Sequence, residues 1–131
     1  MSGKAFPIVI VVGQPLPMPR PFLSRRGGIK PDERVKEYKK LVARYAEQVW
    51  HHELQKANPD LPLKGDCGLR LEFARETMVR ADLDNLIKTV QDALLGIAYL
   101  DDHQIVELAA RKMHGAKRPR VEITLYDLEA V

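Results

Sequence analysis

The stretch DLDNLIKTVQD, residues 82–92, is followed by a bare DD at Asp101 and Asp102. These carboxylates lie among leucines and isoleucines, with no cysteine beside them, and the four histidines of the chain are too scattered to suggest a ligand set. Hard oxygen donors of this kind suit Mg²⁺ or Mn²⁺, which use few protein carboxylates and keep waters or phosphate oxygens. Asp82 and Asp84 are two residues apart, so in an extended segment both side chains point the same way. Lys88 lies one turn beyond Asp84 on the same helical face. Asp101 and Asp102 precede a strand, and a sheet is expected to bring them beside Asp82. Carboxylates gathered in this way repel one another unless protons or cations neutralise them. Two ions about 3.5–4 Å apart would activate a water and stabilise the leaving oxygen of a phosphodiester. Lys88 would add fixed positive charge near the developing charge on phosphorus.

A plainer reading of the same residues stands beside this one. Asp84 is placed to cap a helix, Asp82 to serve as a turn acid, and the DD pair to make an ordinary turn before a strand. Lys88 and Asp92 are spaced for an i,i+4 helix pair.

The elements that must position these groups are readable from periodicity. AFPIVIVVG, rich in Val and Ile without a helical period, predicts a first strand. Residues 14–31 hold a basic, proline-rich stretch that cannot be a helix or an inner strand, because proline removes donors and fixes φ. Residues 31–57 predict a long helix with Pro31 in its first turn and an apolar stripe through Val35, Tyr38, Val42 and Ala46. CGLRLEFAR alternates as a strand with one wet face. DNLIKTVQDALLGIA predicts a second helix, and QIVELAARKM and RVEITLYDL two further strands. The expected fold is α/β or α+β, a single domain over residues 1–131. It has a small mixed sheet in the order βαβαββ, with two main helices packed on it.

Composition bounds the function. The chain has 131 residues, 45% hydrophobic and 30% charged, as in a globular protein that can bury a core without staples. A single cysteine, Cys67, leaves no disulfide framework and no multi-cysteine zinc site, which fits a reducing cytoplasm. The longest apolar run is too short to span a bilayer. Net charge is +3 but unevenly distributed: residues 1–45 carry ten basic against three acidic residues, net +7. Residues 81–110 carry one against six, net −5, and residues 111–120 carry five basic residues and no acid. Basic surface around one acidic island is what a polyanion approaching divalent cations requires. Arg20, Arg25, Arg26 and Lys30 in the proline-rich stretch are candidate phosphate contacts, with Arg80, Arg111, Lys112, Lys117 and Arg118 as further candidates. Such contacts read shape rather than sequence.

DLDNLIKTVQDALLGIAYLDDHQI closely resembles the signature of RusA-type Holliday junction resolvases: D-x-D-N-L-x-K, then D-x-L, then D-D-x-Q. VVGQPLPMPRPFLSRRG resembles the opening strand and G-x-P-x-P-x-x-R loop of the same family. The resemblance implies a homodimeric, Mg²⁺-dependent crossover junction endonuclease that nicks two strands symmetrically across four-way junction DNA, in recombination and repair. It places the catalytic roles on Asp82, Asp84, Lys88 and Asp102. The metal ligands fall on Asp82, Asp84 and Asp102, with Asp101 in support. Where the family often has a basic residue before its first aspartate, this chain has Ala81, with Arg80 one step earlier. Two other classes remain open on the residues alone: a branched-DNA-binding protein without catalysis, and a Mg²⁺-dependent nuclease acting on another nucleic-acid structure.

Overall fold

Leu69, Leu71 and Phe73 alternate with Arg70 and Glu72, and this alternation builds the central strand of the sheet. In the computed structural model, which describes residues 3–19, 33–51, 58–76 and 80–129, strand β3 (Cys67–Ala74) buries the three apolar side chains completely. The remaining elements are β1 (Lys4–Ala5), β2 (Val9–Val12), α1 (Glu33–Trp50), α2 (Leu83–Leu94), β4 (Ile105–Met113) and β5 (Arg120–Asp127). The five strands form one mixed sheet in the order β1-β5-β3-β4, with β2 also paired to β5. This is the expected α+β architecture.

One predicted strand is split. AFPIVIVVG yields β1 and β2, which pair with successive parts of β5 through Lys4↔Asp127 and Val9↔Ile123. Pro7 lies between them, and its missing N–H and fixed φ account for the interruption. Of the expected first helix, residues 31–32, with Pro31, and residues 52–57 lie outside the described residues.

β5 runs antiparallel to β1, β2 and β3, whereas β3 and β4 are parallel. A parallel pair needs a crossover, and α2 supplies it, making a βαβ unit. Both helices pack on the same face of the sheet: α1 against β2 and α2, and α2 against β4. The buried stripe of α1 is Val35, Tyr38, Val42, Ala46 and Trp50; that of α2 is Leu86, Thr89, Val90, Ala93 and Leu94. They meet Leu69, Leu71 and Phe73 of β3 and Val9, Val11, Ile123 and Leu125 of β2 and β5 in one core. The indole of Trp50 donates to the carbonyl oxygen of Pro7 at 3.0 Å, fixing the end of α1 to the β1–β2 connection.

The opposite sheet face carries ions instead of a described helix. Glu72 accepts from Arg111 at 2.9 Å and lies 3.7 Å from Arg70, while Arg120 and Glu122 pair at 3.4 Å. None of the described helices is long and apolar enough to cross a membrane.

Candidate metal and nucleic-acid site

At one end of α2, the chain leaves β3 and enters the helix through Asp82, which takes the N-cap position with φ −72° and ψ 135°. The cap therefore falls on Asp82 and not on Asp84 as expected, and its side chain makes no capping hydrogen bond. Asp82 instead lies 3.6 Å from Arg80. Asp84 sits in the first turn, where the helix dipole favours negative charge, and accepts from the backbone N–H of Asn85 at 3.0 Å. Two tethers fix this segment. Lys112 of β4 donates to the carbonyl oxygen of Ala81 at 2.7 Å. The N–H of Met18 donates to the carbonyl oxygen of Asn85 at 2.9 Å, docking the start of the proline-rich stretch on α2. Between them lies a cleft of about 380 Å³, with Pro17, Met18 and Pro19 on one side and Arg80, Asp82 and Asn85 on the other.

Lys88 is exposed one turn further along α2 and has no hydrogen-bond or ion-pair partner among the described residues. Asp92 does not pair with it. Asp92 lies 3.6 Å from Lys39 of α1, both side chains being partly shielded between the helices. A shielded interhelical partner prevails over an exposed one on the same helix, because water screens the exposed pair.

At the other end of α2 the chain turns back through Gly96, whose φ of +86° favours glycine. Asp101 caps a one-turn 3-10 helix, Asp102–Gln104. Its carboxylate accepts from the His103 backbone N–H at 3.0 Å and lies 2.9 Å from the His103 ring nitrogen. These bonds hold the Asp101 carboxyl below the usual carboxylate range. Asp102 is exposed, and its carboxylate has no hydrogen-bond partner among the described residues.

Gln104 carries this turn; in the sequence it stood only as the last position of the D-D-x-Q signature, with no role assigned to it. It is buried, and its carboxamide donates to the carbonyl oxygens of Leu63 at 2.8 Å and Gly65 at 3.0 Å. Its oxygen accepts from the N–H groups of Leu100 at 2.8 Å and Asp101 at 2.9 Å. The available signal was the capping-box pattern, Asp101-x-x-Gln104.

The two carboxylate groups are not brought together within one chain. In a βαβ unit the helix runs antiparallel to both strands. Residues entering α2 therefore lie at the C-terminal end of the sheet, and residues entering β4 at its N-terminal end. The separation follows from the length of α2, twelve residues, or about 18 Å at 1.5 Å per residue. Tyr99, three residues before Asp102, packs at the C-terminal end of α2, its hydroxyl donating to the carbonyl oxygen of Gln91 at 2.7 Å. The expectation that the sheet would set Asp102 beside Asp82 is thus corrected. Among the described residues, no group of three or more His, Cys, Asp or Glu side chains is placed to hold a metal ion. Within one chain, the described acids therefore do not come together as a site for Mg²⁺.

The basic candidates are dispersed. Arg80 lines the cleft beside Asp82. Arg111 is engaged with Glu72 on the helix-free sheet face, and Lys112 is occupied by Ala81. Lys117 and Arg118 are exposed and line a hollow of about 680 Å³ with Ile10, Val12 and Arg120. Arg20, Arg25, Arg26 and Lys30 lie outside the described residues.

A five-stranded α+β domain core with acids at both ends of one helix, Arg80 beside Asp82 and further cations dispersed over its surface is suited to meeting a polyanion. Comparison gives the family. The profile of the endodeoxyribonuclease RusA family matches residues 13–126, and the chain belongs to that family. The chain is also 28% identical over 136 aligned positions to YqaN of Bacillus subtilis (strain 168), itself described as uncharacterized. That alignment covers 92% of this chain and 95% of YqaN.

Proposed function

We propose that the protein is a Mg²⁺-dependent endonuclease that resolves Holliday junctions by paired, symmetric nicks in DNA recombination and repair. In this reading it acts as a homodimer whose sites are each shared between two copies. Asp82, Asp84 and Lys88 come from one copy, and Asp101 and Asp102 from the other. The observation that carries the reading is the position of the acids at opposite ends of α2. A two-fold axis across the middle of that helix sets the head of one α2 beside the tail of its mate. The shared site then has the all-oxygen donor set that hard divalent cations prefer. Bound there, Mg²⁺, or Mn²⁺ in its place, would supply Lewis acidity and a water of lowered pKa. The chain's own part is to hold the carboxylates, to present Lys88 as fixed positive charge toward the phosphate, and to guide the backbone with Arg80. Family membership supports the nuclease activity, and two identical sites match a two-fold symmetric junction.

The test uses a synthetic four-way junction and a matched linear duplex, each with Mg²⁺ or EDTA. Paired nicks near the branch point are expected only on the junction and only with metal. Binding without cutting would leave a junction-binding protein, and equal cutting of the duplex a nuclease of other selectivity. Sharing of the site is tested by mixing subunits. Asp82→Asn and Asp102→Asn are each expected to be inactive alone. A mixed dimer places both lesions in one site and leaves the other intact, so single-strand nicking returns on mixing. A mixture as inactive as its components excludes the shared site.

A further inference from the structure

We infer that the outer edge of β4, with the adjoining flank of α2, is the surface on which the second copy docks. The inference rests on the two-copy reading above and names its interface. β4 stands at the edge of the sheet, and among the described residues it pairs with β3 alone. It is nine residues long, and Val106 and Leu108 are 55% and 46% exposed. The pairs Leu69↔Leu108, Leu71↔Ala110 and Phe73↔Lys112 put Leu108 and Ala110 on the helix-bearing face, while Val106 sits at the bulge where the register shifts between Cys67 and Gly68. Leu83 and Ile87 of α2 are partly buried hydrophobics at the rim of the core. At 100° per residue they sit on the β4 side of that helix, away from Asp92, which faces α1. Leu100, 57% exposed, extends the apolar strip past the end of α2. A long edge strand with apolar side chains and open backbone groups invites another strand, and proteins that stay soluble cover such edges.

Position selects the occupant. The β4 edge lies between the two acid groups, so a two-fold axis through its middle exchanges them. An axis through the opposite edge, formed by β1 and β2, leaves them as far apart as in one chain. Charge selects the register. In an antiparallel β4–β4 pairing centred on Ala109, Glu107 meets Arg111 of the partner subunit. Ala109 then lies on the axis, where a small residue lets two backbones approach, and Leu108 packs over Ala110 of the partner subunit. The Asp102 end of each chain comes beside the Ala81–Lys112 end of its mate.

The experiment needs no DNA. Ala109→Cys places two thiols across the axis. Directly opposite antiparallel residues have Cα atoms roughly 4.5–5.5 Å apart, within the roughly 4.4–6.8 Å that a disulfide spans. Mild oxidation is expected to give a covalent dimer on a non-reducing gel. The wild type should give none, because its Cys67 is fully buried. Light scattering should show the wild type at twice the 14.9 kDa chain mass and Leu108→Glu at the single-chain mass with an unchanged circular dichroism spectrum. If Leu108→Glu misfolds, Val106→Lys, at the exposed start of the same edge strand, carries the same expectation. A monomeric wild type overturns the inference. So does a dimer that survives Leu108→Glu or Val106→Lys while Ala109→Cys fails to cross-link. Either failure leaves nuclease activity to be judged by Asp82→Asn, and full junction cleavage by that variant would sink the nuclease reading without touching the interface.

Discussion

The carboxamide of Gln104 bridges two backbone segments, Leu63–Gly65 and Leu100–Asp101, and its four bonds hold the turn bearing Asp101 and Asp102 in place. Buried amides that lose a partner leave backbone groups unsatisfied, so the two substitutions of interest differ. Gln104→Leu orphans all four backbone groups. Gln104→Glu keeps the acceptor for Leu100 and Asp101 but turns a carboxylate toward the carbonyl oxygens of Leu63 and Gly65. Both should weaken metal use by about 10–100-fold, the usual cost of losing a group that orients a ligand. The measurement is cleavage rate against Mg²⁺ concentration, with junction affinity in EDTA measured alongside. Half-saturating Mg²⁺ should rise while junction affinity stays near wild type; an equal fall in both would make Gln104 merely structural. At this scale the sequence was partly legible. Residue types and spacings identified the acids, but hydrogen-bond partners depend on what the fold brings near. Asp92 finds Lys39 from another helix and Lys112 finds a carbonyl thirty-one residues away, and no local pattern announces either.

Periodicity made the helices and the main strands legible, because a buried face imposes its repeat on the residues that line it. The direction in which strands pair leaves a fainter mark. Nothing in CGLRLEFA or IVELAARKM distinguishes parallel from antiparallel neighbours, yet that choice decides whether Asp102 lands near Asp82 or the length of a helix away. The same pairing gives Lys112 its role. Lying at the end of β4 where α2 begins, it fastens the segment before Asp82 to the sheet. Lys112→Met keeps the apolar stem and removes the tether, and should lower cleavage by about 10–100-fold. If Lys112 is a tether and not a phosphate contact, the slope of log affinity against log salt stays at the wild-type value. A slope shallower by about one would show that it neutralises a phosphate.

Across the whole molecule, charge is sorted by position. The 111–120 segment, with five basic residues and no acid, runs from the end of β4 into β5, and its cations spread over that end of the sheet: Arg111 pairs with Glu72, Lys112 holds the Ala81 carbonyl, and Lys117 and Arg118 lie beside β2. Lys117 and Arg118 are exposed in the hollow they share with Ile10 and Val12. Each phosphate they neutralise releases condensed counterions and contributes about −0.9 to the salt slope on duplex arms. Lys117→Ser with Arg118→Ser should therefore make the slope of junction binding shallower by about two, with the same change on linear duplex, because junction arms and linear duplex present the same phosphates to these two cations. Cleavage of junction already bound at saturating protein should keep its wild-type rate, since neither residue reaches the carboxylates that would do the chemistry. An unchanged slope would assign these two cations to ordinary solvated surface. The guiding charge would then have to come from elsewhere, with Arg80 in the cleft beside Asp82 the first place to look.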